Sequence, residues 1–318
     1  MVAAEQPGRS RRVAPTGAAL NWAILLVLVV IWGSTFAGIR MAVETIHPLW
    51  TVAGRMVSAT VFLAVFLLIA KAMNGKRRGD PPEKVTPRAL LAYSTIGILF
   101  TALPFVLYSI AAQTTGSAVM AICNGGTPFV TTLAAHFLVK DRLTARRIAG
   151  VMMGFLGLAV LVWPEAQKGF GNSSLFGIIL AIVGAGLYAG GNVGTRMSPR
   201  LSPLTSSLIL VGAGAAAATV AALFLAPWPV EASVRSITAM LMIGLFPTAI
   251  AMILYVWLIQ RTGAVFVSFT TYLSPLWATG LGVLFLDEPL HWSMIGALAL
   301  ILAGVAVANV RPKVTQVS

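Results

Sequence analysis

Few residues in this chain of 318, which is 58% hydrophobic and 10% charged, can do chemistry inside its apolar stretches. Arg55 is the one fully charged side chain that falls within a long apolar block. A cation placed there suits an anionic group such as a carboxylate. The alternative is that it reaches back to the interface or pairs with Glu44. Asn124 and Thr271 each stand four residues before a proline, Pro128 and Pro275. A proline inside a helix leaves the carbonyl four residues earlier without its donor. Each site therefore joins a free carbonyl to a polar side chain, which is tolerated at mid-membrane only against protein or a water-filled cavity.

Other polar residues share those faces at helical spacing: Thr132 with Asn124 and Pro128, and Ser268 and Thr279 with Thr271 and Pro275, Tyr272 lying alongside. Such residues either line a cavity or help helices pack and kink. A second pair of stretches reads W-G-S-T-F, with Trp32 and Ser34, and Y-A-G-G-N, with Tyr188 and Asn192. Aromatic rings beside small residues at mid-depth face either a ligand or lipid. Gly186, Gly190 and Gly194 form a stripe suited to close helix packing. His136, near a helix end, reads as a structural or interfacial residue.

The chemistry excluded is equally specific. There is no G-x-x-x-x-G-K-[ST], H-E-x-x-H or G-x-S-x-G. Cys123 is the single cysteine, most simply a small apolar residue, and there is no cysteine–histidine cluster for a metal. No Asp or Glu falls clearly within an apolar block. Neither a cofactor nor an enzymatic mechanism is expected.

The elements that must hold these residues are ten apolar blocks, predicted as helices over about 21–39, 49–70, 89–111, 116–139, 147–163, 174–195, 204–226, 237–259, 264–286 and 292–309. Each is long enough, or nearly so, to cross ~30 Å of hydrocarbon. The chain thus reads as an all-α polytopic membrane protein. Its net charge of +13 does not indicate nucleic acid, because eighteen of the 22 Lys and Arg fall in the termini and alternate loops rather than on one patch. Those segments belong in the cytoplasm, which puts both termini inside. Residues 1–20 and 310–318 read as cytoplasmic tails, and 71–88 as an exposed cytoplasmic loop.

The chain also repeats itself. An offset of 147 carries Gly97 to Gly244, Tyr108 to Tyr255, Gln113 to Gln260, Pro128 to Pro275, Asp141 to Glu288 and Gly157 to Gly304. In the first helices an offset of 156 carries Trp32 to Tyr188 and Arg40 to Arg196. The units are 21–163 and 174–309, five helices each. Five is odd, so the second unit is expected upside down relative to the first, an inverted repeat.

W-G-S-T-F, Arg55, the mid-helix Pro128 and Pro275, and the L-x-D/E-x-L turns at Asp141 and Glu288 together resemble the EamA-type branch of the drug/metabolite transporter superfamily. Asp141 departs from the glutamate more usual in the first turn. The resemblance covers about 21–309 and implies ten helices, a central cavity, and export of small metabolites, often amino acids or their derivatives, across a bacterial inner membrane. The expected partners are a small-molecule substrate and the bilayer; the oligomeric state is not legible. A passive channel-like facilitator, or a non-transporting sensor or enzyme, are the competing classes.

Overall fold

The computed structural model describes residues 15–73, 84–139, 144–167, 173–262, 264–267 and 269–309. The tail arginines, the central part of the 71–88 loop, Asp141, Lys168 and Ser268 lie outside the described residues.

Helix α1 (Pro15–Gly33) passes through Ser34 into α2 (Thr35–Ala42), and α3 (Pro48–Met73) follows. Next come α4 (Pro87–Gly97), a π-helical segment (Ile98–Ala102) and α5 (Leu103–Ala111). α6 (Ser117–Gly125), α7 (Thr127–Val139) and α8 (Ala145–Ala166) complete the first half. The second half holds α9 (Ser173–Met197), α10 (Pro203–Leu225) and α11 (Val234–Ile243), then a second π segment (Gly244–Ile250) and α12 (Ala251–Thr262). It ends with α13 (Ala264–Val267), α14 (Phe269–Phe285) and α15 (Trp292–Asn309). Helix starts follow local chemistry: Thr86 and Ser202 cap the amides of Ala89 and Thr205, with Pro87 and Pro203 in the first turn.

Among the described residues eight helices are long and apolar enough to cross a membrane, and two shorter apolar ones, Leu273–Phe285 and Trp292–Ala308, accompany them. Large apolar side chains such as Phe137, Trp163, Phe224 and Phe285 point outward, as lipid contact requires.

The extensive pairings run between the halves: α3 with α10, α8 with α15, α6 with α14, α5 with α9, and α2 with α11. Taken by whole spans, with α1–α2 matching α9, α4–α5 matching α11–α12 and α6–α7 matching α13–α14, exchanging the halves maps this set onto itself, as two copies of one unit packed together require. The repeated glycines explain how closely they pack. A Cβ on Gly97 would fall on the Leu210 carbonyl, and one on its repeat mate Gly244 would fall on the Arg55 carbonyl. Leu210 and Arg55 thus occupy matching places in α10 and α3.

The two proline sites differ. In the first copy the helix is interrupted at Gly126, between α6 and α7; in the second, Pro275 lies within the unbroken α14. Gly125 and Gly126 precede Pro128, where Tyr272 and Leu273 stand in the second copy. Two glycines in helix cost about 1 kcal/mol each, which favours the break beside a proline.

The turns 43–47, 112–116, 226–233 and 286–291 gather at one end. Thr45 donates to Ser233 (3.2 Å), Trp50 to the Pro227 carbonyl (2.9 Å), and Ser174 at the start of α9 to the Thr114 carbonyl (3.1 Å). At the other end the Tyr93 hydroxyl donates to the Pro199 carbonyl (3.1 Å).

Candidate functional site

A cavity of about 600 Å³ lies between the halves. From the first half α1 and α2 supply Trp32, Thr35, Phe36 and Ile39, α3 supplies Arg55, and α5 supplies Phe105 and Tyr108. The broken helix supplies Asn124 and Gly125, then Thr127, Pro128, Thr131 and Thr132. The second half contributes Tyr188, Asn192, Pro247, Thr270, Ser274 and Pro275. A smaller cavity of about 200 Å³ shares Pro128, Thr131 and Thr132 and leads to Arg147 and Arg196.

Most of the expected residues therefore meet. Trp32, Arg55, Asn124, Pro128, Tyr188, Asn192 and Pro275 line one cavity, and Trp32 and Tyr188 face it rather than lipid. Ser34 does not line it; its hydroxyl accepts from the Trp277 indole (2.9 Å). The side chains of Thr271 and Tyr272 lie outside the described residues; among those described, α14 presents Thr270, Ser274 and Pro275. Thr279 donates to the Pro275 carbonyl within its own helix. The glycine stripe packs at Gly190 and Gly194, against Phe100 and Ile96, whereas Gly186 has open space before it.

Arg55 neither reaches the interface nor pairs with Glu44. It is 4% exposed, and Glu44 is joined to Arg235 (3.6 Å). The Arg55 Nε donates to the Thr248 hydroxyl (3.0 Å), which in turn donates to the Ile243 carbonyl (2.9 Å). The guanidinium lies 3.6 Å from the centre of the Phe105 ring. Thr248 sits in the second π segment, where the widened turn also lets the Pro247 carbonyl accept from the Trp32 indole (3.2 Å). The Asn124 amide oxygen accepts from Tyr108 (3.2 Å) and Thr127 (3.4 Å), and Asn192 donates to Thr131 (3.4 Å). Tyr108 stacks on Tyr188 (5.8 Å), with Phe36 and Phe105 edge-on to that pair.

Phe105, Tyr108 and Thr248 were not singled out by type and spacing. Tyr108 carried a signal, since it and its repeat mate Tyr255 make matching contacts, with Tyr188 and with Trp32, themselves repeat mates.

Glu288 closes the end of the bundle where the turns gather. It is 6% exposed, pairs with Arg40, and accepts from the amides of Ser117 (2.7 Å) and Ala118 (3.0 Å) at the start of α6. Burial alone would raise its pKa. The Ala118 and Ser117 amides and Arg40 outweigh burial and hold it below the usual carboxylate value.

A membrane-embedded bundle of two similar halves around a mixed aromatic and polar cavity defines a polytopic membrane transporter. The chain belongs to the EamA-like transporter family, whose model matches residues 20–163 and 175–310. It is similar to the uncharacterized inner membrane transporter YedA of Escherichia coli (strain K12), 27% identical over 92% of this chain and 94% of that one. It is also similar to an S-adenosylmethionine/S-adenosylhomocysteine transporter of Chlamydia muridarum, 25% identical over 86% of each chain. A solved crystal structure shares the fold, with a TM-score of 0.63 at 21% identity over 91% of this chain and 98% of that one. The protein is a multi-pass inner-membrane transporter.

Proposed function

We propose that this transporter exports small metabolites, amino acids or their derivatives among them, by alternating access through the cavity between its halves. The observation that carries this reading is the asymmetry of the cavity. Toward one end its lining stops at Ile39 and Ala121, short of the Arg40–Glu288 cluster, and toward the other a second cavity shares Thr131 and Thr132 and reaches Arg147 and Arg196. A carrier caught open to one side has that form, whereas a passive channel needs a path open at both ends.

In the proposed topology the chain crosses ten times as two inverted five-helix repeats, with both termini in the cytoplasm. The two shorter apolar helices supply the ninth and tenth crossings, and the gathered turns fit alternate loops sharing one side. The Arg147–Arg196 end then faces the cytoplasm, and the Glu288 end faces outward.

The test compares metabolite release from cells with and without the protein, followed by flux into proteoliposomes. Saturable flux that is stimulated by substrate on the far side is expected. Linear, unsaturable flux would replace the carrier with a channel, and no protein-dependent release or flux would remove the transport reading.

A further inference from the structure

Arg55 is a buried cation for which the described residues provide no counter-charge. No carboxylate lies within ion-pair distance of it, and no Asp or Glu is among the residues lining the cavity. Removing a guanidinium from water costs several kcal/mol unless it is paired. Phe105 and Thr248 offset part of that, but they engage one face and Nε. The Nη edge, with its parallel donors, keeps the geometry that matches a carboxylate in bidentate fashion.

The charge also breaks the symmetry of the fold. Leu210, the position matching Arg55, is apolar, and α10 carries no Lys or Arg at all. Among the described residues the larger cavity is therefore lined by one cation, Arg55. Its polar groups beyond Arg55 are neutral, and the Tyr108, Thr127 and Thr132 hydroxyls spend their protons on Asn124 and on the Pro128 carbonyl. An ammonium group would meet rings and neutral oxygens there, without fixed negative charge.

Resting on the transport reading above, we propose that the cavity selects organic monoanions. A carboxylate sits on the Nη edge of Arg55 and an apolar, ring-bearing body lies among Trp32, Phe36, Tyr108 and Tyr188. Zwitterions and cations of the same size are disfavoured. N-acylated amino acids and aromatic monocarboxylates have this chemistry; free amino acids do not.

Four probes on one skeleton separate the charge states: N-acetylphenylalanine (anion), N-acetylphenylalaninamide (neutral), phenylalanine (zwitterion) and phenylalaninamide (cation). Binding to the full-length protein in nanodiscs is followed by quenching of tryptophan fluorescence, and flux is followed in proteoliposomes. N-acetylphenylalanine is expected to bind at least ~10-fold more tightly than the other three. That preference falls to about one in Arg55→Gln and is partly kept in Arg55→Lys, which retains charge but not the fork. Should Arg55→Gln fail to insert, Thr248→Val carries the comparison by freeing Nε and loosening the guanidinium, which narrows the preference. An unchanged order of affinities in these variants overturns the proposal, as does equal or tighter binding of phenylalanine, or no binding of the anion at millimolar concentration. Saturable phenylalanine flux without anion binding overturns this proposal and leaves the transport reading standing. Arg55-dependent anion binding without flux of any probe does the reverse.

Discussion

Arg40, at the end of the first transmembrane helix, donates to Glu288, 248 residues later in the turn before the last helix. The pair ties the two halves together, and it is more than an ion pair, because the same carboxylate receives the first amides of α6. Three elements thus end on one side chain. Gly116 and Gly282 leave it room: a Cβ on Gly282 would come within 2.6 Å of its carboxylate oxygen. Asp287, the one described non-glycine residue with a positive φ (52°), turns the chain so that Glu288 points back into the bundle.

If this cluster is the roof of the cavity, loosening it opens that end. In a Cys123→Ala background with a reporter cysteine at Ile39, Glu288→Gln and Arg40→Gln are each expected to raise labelling from the Glu288 end several-fold. The charge swap, Arg40→Glu with Glu288→Arg, restores the pair but sets a cation against the α6 amides, and a lost N-terminal cap costs about 1 kcal/mol. The swap is therefore expected to stay leaky. Wild-type accessibility in the swap would mean that the ion pair alone holds the roof.

The pH dependence follows from the sign of the Glu288 shift. Its folded pKa lies below the unfolded one, so its contribution is complete above the unfolded value and lost as pH falls through the folded value. The difference in thermal midpoint between wild type and Glu288→Gln should be constant from about pH 5.5 to 8, above the ordinary carboxylate pKa of about 4.3, and shrink only below about pH 4. A difference that vanished near neutrality would show a carboxylate protonated far too easily for this geometry.

Much of this architecture was legible because it is written twice. The 147-residue offset foretold the two halves. The partners of Arg55 were not legible, since Thr248 lies 193 residues away and reaches it through a π segment with no local sequence pattern. Glu288 looked like an ordinary turn residue, because its burial depends on α2 and α6 converging on it. On α14 the polar stripe was drawn through Ser268, Thr271, Pro275 and Thr279; Pro275 lines the cavity together with Thr270 and Ser274, which the stripe left out, while the side chain of Thr271 lies outside the described residues. A segment with polar residues on neighbouring positions does not say which of them turns inward.

Orientation is open to a direct check. Cysteines placed at the exposed positions Val85 and His291, again in Cys123→Ala, should react with a membrane-impermeant maleimide from opposite sides. His291→Cys is expected to react in intact cells and Val85→Cys only after permeabilisation. The reverse pattern would turn the proposed topology over.

The Asn124 contact separates binding from assembly. Tyr108→Phe removes one of the two hydroxyls held by the Asn124 oxygen, a loss of about 1 kcal/mol or roughly fivefold in affinity. Asn124→Leu removes both and should lower flux further, while membrane insertion stays at the wild-type level. Intact flux in both variants would reduce this polar face to a packing device.

The last prediction concerns energy. Proton-driven carriers commonly use a carboxylate or histidine whose pKa changes as the cavity opens to either side. The described residues lining the larger cavity include neither, and Glu288, the one buried carboxylate among the described residues, is held ionised through physiological pH by Arg40 and two amides. Arg55 keeps its charge throughout, so it can hold an anion but cannot release it by losing a proton near neutrality. A coupling ion on the carbonyls near Pro128 remains the competing arrangement. The expected behaviour is movement down the substrate's own gradient, a relief valve when a metabolite accumulates inside. In proteoliposomes with equal pH on both sides, substrate should equilibrate without being concentrated. An imposed pH gradient should leave the final level of a neutral or permanently charged substrate unchanged. Because an anion also responds to membrane voltage, the potential must be clamped with potassium and valinomycin for the comparison to hold. Uphill accumulation under that clamp, driven by pH alone, would overturn the prediction and direct attention to His136 and Glu44 as proton sites.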